Sequence, residues 1–345
     1  MKIAIVNNCV PFIAGGAEHL ADSLCAKLIE HGHEAMLIRI PFRWYPAESI
    51  VDHILACRLL CLRGVDRVIA LKFPAYYVPH DNKVLWLLHQ FRQAYELWGT
   101  AYQDIPDTPQ GLKIRQAIIE ADNQYLPEAR KIYTNSYVTG SRLKRFNNLD
   151  SEVLFPPLNR PDDFFCSGYG DYIFYPSRVT SGKRQTLVVE SMKYCKSSVR
   201  LVIGGKPELP SDQEAVERII RESGLQSRVK FIPKFLTEKA KAEFFAGALG
   251  CAYTPYDEDS YGFVTLESYH SGKPVITCDD SGGTQILVKD GETGFVVPPL
   301  PEAIGSAMDR LYDDRRLARR LGEAGYNLMI TLGINWDTVV ERLTA

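Results

Sequence analysis

No run in this chain reaches roughly 18 apolar residues, so no membrane-spanning helix is expected. Charge of one sign is also missing. The 40 Lys and Arg residues nearly cancel the 42 Asp and Glu, leaving −2 over 345 residues. Without a global basic field, nucleic acid is excluded as the expected partner. Neither an internal repeat nor a low-complexity tract stands out. Cysteine is thin at 8 residues. The only close pair is Cys57 and Cys61, which no histidine joins at ligand spacing, so no zinc motif is present and no metal is expected. The cysteines read as reduced core thiols of a cytoplasmic protein. Residues 1–6 are apolar but too short for a signal peptide, and read as a buried strand. The full G-x-G-x-x-G fingerprint is absent as well, which ranks a Rossmann dehydrogenase last among the enzyme classes.

What is present is ordinary globular composition, 46% apolar and 24% charged, in a length that predicts two domains. The chain opens strand, loop, helix, strand: 2–6, then Pro11 and Gly15-Gly16, then 17–30 with Leu20, Leu24 and Leu28 at helical spacing, then 35–40. This is a βαβ unit and predicts a parallel sheet covered by helices. Further strands are expected at 67–71, 83–88 and 131–135. Pro156-Pro157, Pro161, Gly168 and Gly170 look like a linker. After it, strands at 172–175, 200–203, 229–232, 251–254 and 274–277 alternate with helices at 185–193, 212–223, 237–246 and 265–271. The last stretch is helical (302–311, 315–329, 336–343). The fold class is therefore α/β, with two doubly wound, Rossmann-like domains in tandem: 1–160, 161–325, and a helical segment 326–345.

Several positions could carry chemistry. Gly15-Gly16 lies between a strand and a helix N-terminus, where backbone N–H groups can approach a phosphate; a tight turn without a ligand is the structural alternative. Arg178 and Lys183 follow a strand's carboxyl end, where ligands bind in open α/β sheets, and two cations there could neutralise a departing diphosphate. In Asp259-Ser260-Tyr261-Gly262-Phe263-Val264-Thr265-Leu266-Glu267, a glycine lets the chain turn into a helix, and two carboxylates flank that turn. They could grip different hydroxyls of a sugar nucleotide; a helix with acidic residues near its start is the structural alternative. Asp257-x-Asp259 mimics a metal pair, but no other ligand cluster accompanies it. Ser281-Gly282-Gly283-Thr284 reads as a flexible, amide-rich turn, and 290–295 as a hairpin-like turn. His89 follows the strand 83–88 and could face a cleft.

Asp259-x7-Glu267 with Gly262-Phe263, then Ser271-Gly272-Lys273-Pro274-Val275-Ile276, Gly282-Gly283 and Asp290-Gly291-Glu292-Thr293-Gly294, resembles the retaining GT4 glycosyltransferases (glycosyl transferases group 1) of GT-B fold. The resemblance runs nearly end to end. Gly15-Gly16-Ala17-Glu18, Gly32-His33-Glu34, Arg178, Lys183 and Gly204-Gly205-Lys206-Pro207 also match the family's pattern in order. It implies two domains facing across a cleft, with the first binding the acceptor and the second a UDP- or GDP-sugar donor. Residues 326–345 would return to the first domain. Glu267 would hold the donor ribose, and Arg178 and Lys183 the diphosphate. Asp259, Gly205 and the backbone of Gly262, Phe263 and Val264 would meet the donor sugar and phosphates. Gly15 and Gly16 would close on the diphosphate, and His89 would lie near the transferred sugar. The implied reaction is metal-independent, retaining transfer to a glycan or lipid-linked acceptor in surface polysaccharide biosynthesis, with peripheral contact at the inner membrane face through 143–146 or the apolar helix 54–62. Asp259 where the family usually has Glu, and Gln285 where it commonly has Glu, are departures. They give some weight to a non-catalytic sugar-nucleotide-binding protein; a nucleotide-sugar epimerase on the same fold is the other alternative.

Overall fold

β1 (Lys2–Cys9) buries six residues in succession, the pattern of a parallel strand covered on both faces. In the computed structural model, which describes residues 1–12 and 15–345, this strand lies inside a six-stranded sheet. Its companions are β2 (Glu34–Pro41), β3 (Arg67–Ala70), β4 (Lys83–Leu87), β5 (Lys131–Thr134) and β6 (Glu152–Val153). The order is β2-β1-β3-β4-β5-β6, and every neighbouring pair is parallel. The second sheet repeats the plan with β7 (Tyr172–Pro176), β8 (Arg200–Gly204), β9 (Val229–Ile232), β10 (Gly250–Ala252), β11 (Val275–Cys278) and β12 (Gly294–Val297). Its order is β12-β11-β10-β7-β8-β9, again all parallel. Each sheet reverses its winding once, at β1/β3 and at β7/β10, and such switch points open a crevice at the carboxyl ends.

The helices of the first sheet are α1 (Gly16–Glu30), α2 (Ser49–Leu59), α3 (Pro109–Tyr125) and α4 (Tyr137–Asn147). Those of the second are α5 (Gln185–Ser191), α6 (Pro210–Glu222), α7 (Glu238–Gly247), α8 (Phe263–His270), α9 (Pro301–Asp313) and α10 (Arg315–Thr331), and α11 (Trp336–Thr344) ends the chain. The sequence patterns leave α3 and α4 unassigned, although both carry start signals. Thr108 accepts the Gly111 N–H ahead of Pro109, and Ser136 accepts the Thr139 N–H.

Two units result: Met1–Asn159 with Asn335–Ala345, and Arg160–Ile334. The division falls at Asn335 and not at 326, because α10 belongs to the second unit. There the bare Cα atoms of Gly322 and Gly325 let α10 approach the Gly272 carbonyl and the Tyr269 ring, where a Cβ would lie 2.0 and 2.3 Å away. In the first unit α11 is held by Trp336, which stands edge-on to Trp86 and donates to the Leu158 carbonyl at 2.8 Å.

Three local expectations are corrected. All eight cysteines are free, but Cys61 and Cys166 are exposed: one lies past the end of α2, the other in the stretch leading to β7. The helix expected over 54–62 buries Ile50, Ile54 and Cys57 yet turns Val51, Leu55 and Leu59 outward. The stretch 290–295 is no hairpin, since β12 pairs parallel with β11. Among the described residues no helix is long and apolar enough to cross a membrane.

Candidate active site

At the β7/β10 switch point, the loop after β7 carries Arg178 and Lys183, and the loop after β10 carries residues 253–262. The two are stitched together by the Tyr256 N–H, which donates to the Gly182 carbonyl at 2.8 Å. The Lys183 ammonium forms an ion pair with Glu258 and donates to the Tyr253 hydroxyl at 3.0 Å. Tyr253 in turn donates to Glu258 at 3.3 Å. Arg178 faces another way, pairing at 3.6 Å with Glu208 from the loop after β8 on an exposed surface. The two predicted cations thus share a loop but not a partner.

Gly262 is required twice over. Its φ is +72°, a left-handed conformation that a side chain disfavours, and a Cβ there would lie 2.5 Å from the Tyr253 ring. It thereby lets Tyr253 sit under the lysine, and it starts α8, whose first N–H groups at Phe263 and Val264 need partners outside the helix. Asp259 is buried in the same loop. The 281–284 segment is not the flexible turn its composition implies. A Cβ on Gly282 or Gly283 would meet the backbone of Glu258 at 2.5 Å or Ser260 at 2.6 Å, so these glycines allow two loops to pack backbone to backbone. Gly205 is similar: a Cβ would lie 1.7 Å from the Ser177 carbonyl. Sequence inspection missed Arg184, which follows Lys183 and holds the whole rim. It bridges the Thr254 and Pro255 carbonyls and grips Asp280 with two 2.7 Å bonds.

Glu267 projects from α8 and is 3% exposed. One carboxylate oxygen accepts from Lys241 at 2.5 Å; the other is buried with no hydrogen-bond partner. Burial holds this carboxyl above the usual range, with the Lys241 ammonium pulling the other way. Lys241, also missed in the sequence, pairs at 2.9 Å with Glu238. Among the described residues nine buried side-chain polar atoms lack a hydrogen-bond partner, and this Glu267 oxygen is the one that belongs to a carboxylate, the group for which a missing partner costs most.

In the first unit, the Gly15 N–H at the start of α1 donates to Glu18 at 2.9 Å, and Glu18 pairs with Lys72 at 2.8 Å. Burial raises the Glu18 carboxyl, but Lys72 and the backbone donors outweigh it and leave it below its ordinary value. The helix end proposed for a phosphate is therefore already capped by a carboxylate. His89, half-buried after β4, has Nδ1 2.6 Å from the Gln90 carbonyl, so Nδ1 carries a proton and donates it there. Among the described residues no group of three His, Cys, Asp or Glu side chains is arranged to hold a metal ion.

Comparison with solved structures establishes the fold. The whole chain superposes on sucrose-phosphate synthase from Thermosynechococcus elongatus (TM-score 0.78, 18% identity, 100% of this chain and 98% of that one). It also superposes on Anabaena HepE in complex with UDP and glucose (TM-score 0.74, 16% identity, again 100% and 98%). At these identities the likeness shows the fold, and the fold is GT-B. Residues 168–328 match the family described as glycosyl transferases group 1. That match lies within the second unit, whose sheet and candidate site it spans. Among curated proteins it is 30% identical over 131 residues to a D-inositol 3-phosphate glycosyltransferase of Thermomonospora curvata, covering 38% of this chain and 29% of the relative. It is 29% identical over 157 residues to the alpha-D-kanosaminyltransferase of Streptomyces kanamyceticus, covering 44% and 39%. The chain thus spans well under half the length of the curated relatives it matches.

Proposed function

We propose that this protein is a retaining, metal-independent glycosyltransferase of GT4 type. It would move a sugar from a nucleotide-diphosphate sugar to a hydroxyl of a glycan or lipid-linked acceptor, in surface polysaccharide biosynthesis. One observation carries the reading: the buried Glu267 carboxylate, anchored by Lys241 through one oxygen and orphaned at the other. An orphaned buried acceptor costs about 1–3 kcal/mol, which a ligand hydroxyl pays back by donating to it, and a nucleotide ribose presents such hydroxyls. The group 1 match over 168–328 and the UDP in the HepE structure support the same class of donor.

The remaining residues follow from charge. A departing diphosphate gathers negative charge, so Lys183 and Arg178 neutralise it and the N–H groups of Phe263 and Val264 donate to it. Lys183 exchanges its present partner, Glu258, for the more highly charged diphosphate. Asp259 receives hydroxyls of the transferred sugar. In the first unit, Gly15, Gly16 and the Nε2 side of His89 serve the transferred group and the acceptor. As the bond from the anomeric carbon to the diphosphate oxygen breaks, the acceptor oxygen bonds to the same face and its proton passes to that diphosphate oxygen.

The test is turnover by the purified protein with UDP- and GDP-sugars and short glycan acceptors, with and without a chelator. Release of nucleoside diphosphate matched by product of unchanged anomeric configuration, undiminished by chelator, is the expected result. Nucleotide binding with no transfer to any acceptor would favour the non-catalytic reading.

A further inference from the structure

Away from the candidate site, the stretch leading to β7 meets the turn before β11. There Lys273 is fully buried. Its ammonium nitrogen lies 3.1 Å from the sulfur of Cys166, donates to the Gly168 carbonyl, and sits 4.2 Å from the centre of the Tyr169 ring. Among the described residues no carboxylate pairs with it. Cys166 is one of the two exposed cysteines, so solvent-borne oxidants reach the sulfur while the nitrogen stays sequestered. Gly272, at φ +66°, brings the two together: a Cβ on it would lie 3.7 Å from the Cys166 Cβ. Arg315, Arg316 and Arg319 of α10 line an open hollow of about 350 Å³ with Tyr169, adding positive charge beside the pair.

We propose that Cys166 and Lys273 form a peroxide-responsive switch, closing into a covalent sulfur–nitrogen cross-link between the stretch before β7 and the turn before β11. A hydroperoxide first oxidises the thiol: sulfur gains an oxygen as sulfenic acid and loses two electrons, and the peroxide is reduced to water or alcohol. The lone pair of the Lys273 nitrogen then attacks sulfur. The S–N bond forms as the S–O bond breaks, and the departing hydroxide takes a proton from nitrogen to leave as water. The first step is favoured by cations near a thiolate. The second needs a neutral amine, and burial does lower the Lys273 ammonium below its ordinary value, with Arg319 adding to the effect and Cys166 opposing it. A thiol reductant attacks the sulfur and restores both side chains.

The experiment treats the folded, full-length protein with hydrogen peroxide and maps its peptides by mass spectrometry, with and without later reduction. The expected product is one peptide pair joined through Cys166 and Lys273, lighter by about 2 Da than the sum of its reduced parts and separated again by thiol. Cys166→Ser abolishes it. Lys273→Arg, which keeps a cation against Tyr169 and Gly168, leaves a sulfenic acid at Cys166 that dimedone traps. Should that variant fail to fold, dimedone competition on the wild type serves instead: labelling of Cys166 must fall as the cross-link accumulates. The proposal is overturned if wild-type Cys166 stays reduced, is fully trapped by dimedone, or goes straight to sulfinic acid while Lys273 remains unmodified.

Discussion

Asp122 in the first unit and Glu267 in the second are both buried carboxylates, and the chain treats them differently. Asp122, on α3, accepts from three tyrosines: Tyr76 at 2.8 Å and Tyr77 at 2.6 Å on one oxygen, Tyr95 at 2.6 Å on the other. Glu267 has one satisfied oxygen and one orphan. A saturated buried carboxylate is a structural tie, here joining α3 to the segments around Tyr76 and Tyr95. A half-saturated one is less stable than its surroundings allow, and such a deficit persists at a place that binds something. The same contrast separates the two switch points. In the first unit Glu18 and Lys72 cap the start of α1, whereas in the second Lys183 holds an anion that a ligand can replace.

Four variants break or sharpen this contrast, in falling order of expected effect. Asp122→Ala strands three buried phenol hydroxyls and should lower unfolding free energy by about 3 kcal/mol or more, read by urea denaturation. Gly262→Ala forces a left-handed residue into the Tyr253 ring and should cost about 2–4 kcal/mol and remove nucleotide binding, read by the same melt and by calorimetry. Glu267→Gln should do the reverse of Asp122→Ala, keeping or slightly raising stability because a poorly satisfied buried charge disappears, while weakening nucleotide binding about tenfold or more. Glu258→Gln frees Lys183 from its competitor and should tighten nucleoside diphosphate binding about two- to fivefold, a shift that falls with added salt.

Asp122 also sets a pH dependence. Burial lifts its carboxyl to about 6, the Tyr77, Tyr95 and Tyr76 hydroxyls holding it back from rising further. A carboxyl raised above its unfolded value favours the folded state while protonated. That contribution is complete below the unfolded value near 4 and is lost as pH climbs through about 6. Melting temperature measured from pH 4 to 7 should therefore fall more steeply for the wild type than for Asp122→Asn.

Most of the strand order was legible in the sequence because parallel, doubly covered strands are short apolar runs, and β1, β4, β8 and β11 are nearly pure examples. The helices α3 and α4 were less so, because their apolar positions, such as Ile114 and Ile118 in α3, are sparse. Within the candidate site, Glu267, Asp259 and Gly262 could be picked out because the turn needs a glycine and carboxylates are uncommon beside apolar helices. The partners could not. Glu258 and Lys241 look like surface charges in the sequence, and only the meeting of the loops after β7 and β10, and of α7 with α8, makes them ligands of Lys183 and Glu267. The glycines at 205, 282 and 283 stand out in the sequence as turn residues, but that each lies against the backbone of another loop is visible only in the structure.

The most direct measurement is a calorimetric titration of UDP, with GDP and ADP beside it, into wild type and Glu267→Gln, paired with a melt of each protein. The account predicts that one of these nucleotides binds the wild type, that Glu267→Gln binds it about tenfold or more weakly, and that the variant melts no lower. Equal affinity in the two proteins, or a loss of binding that merely follows a lower melting temperature, would contradict it.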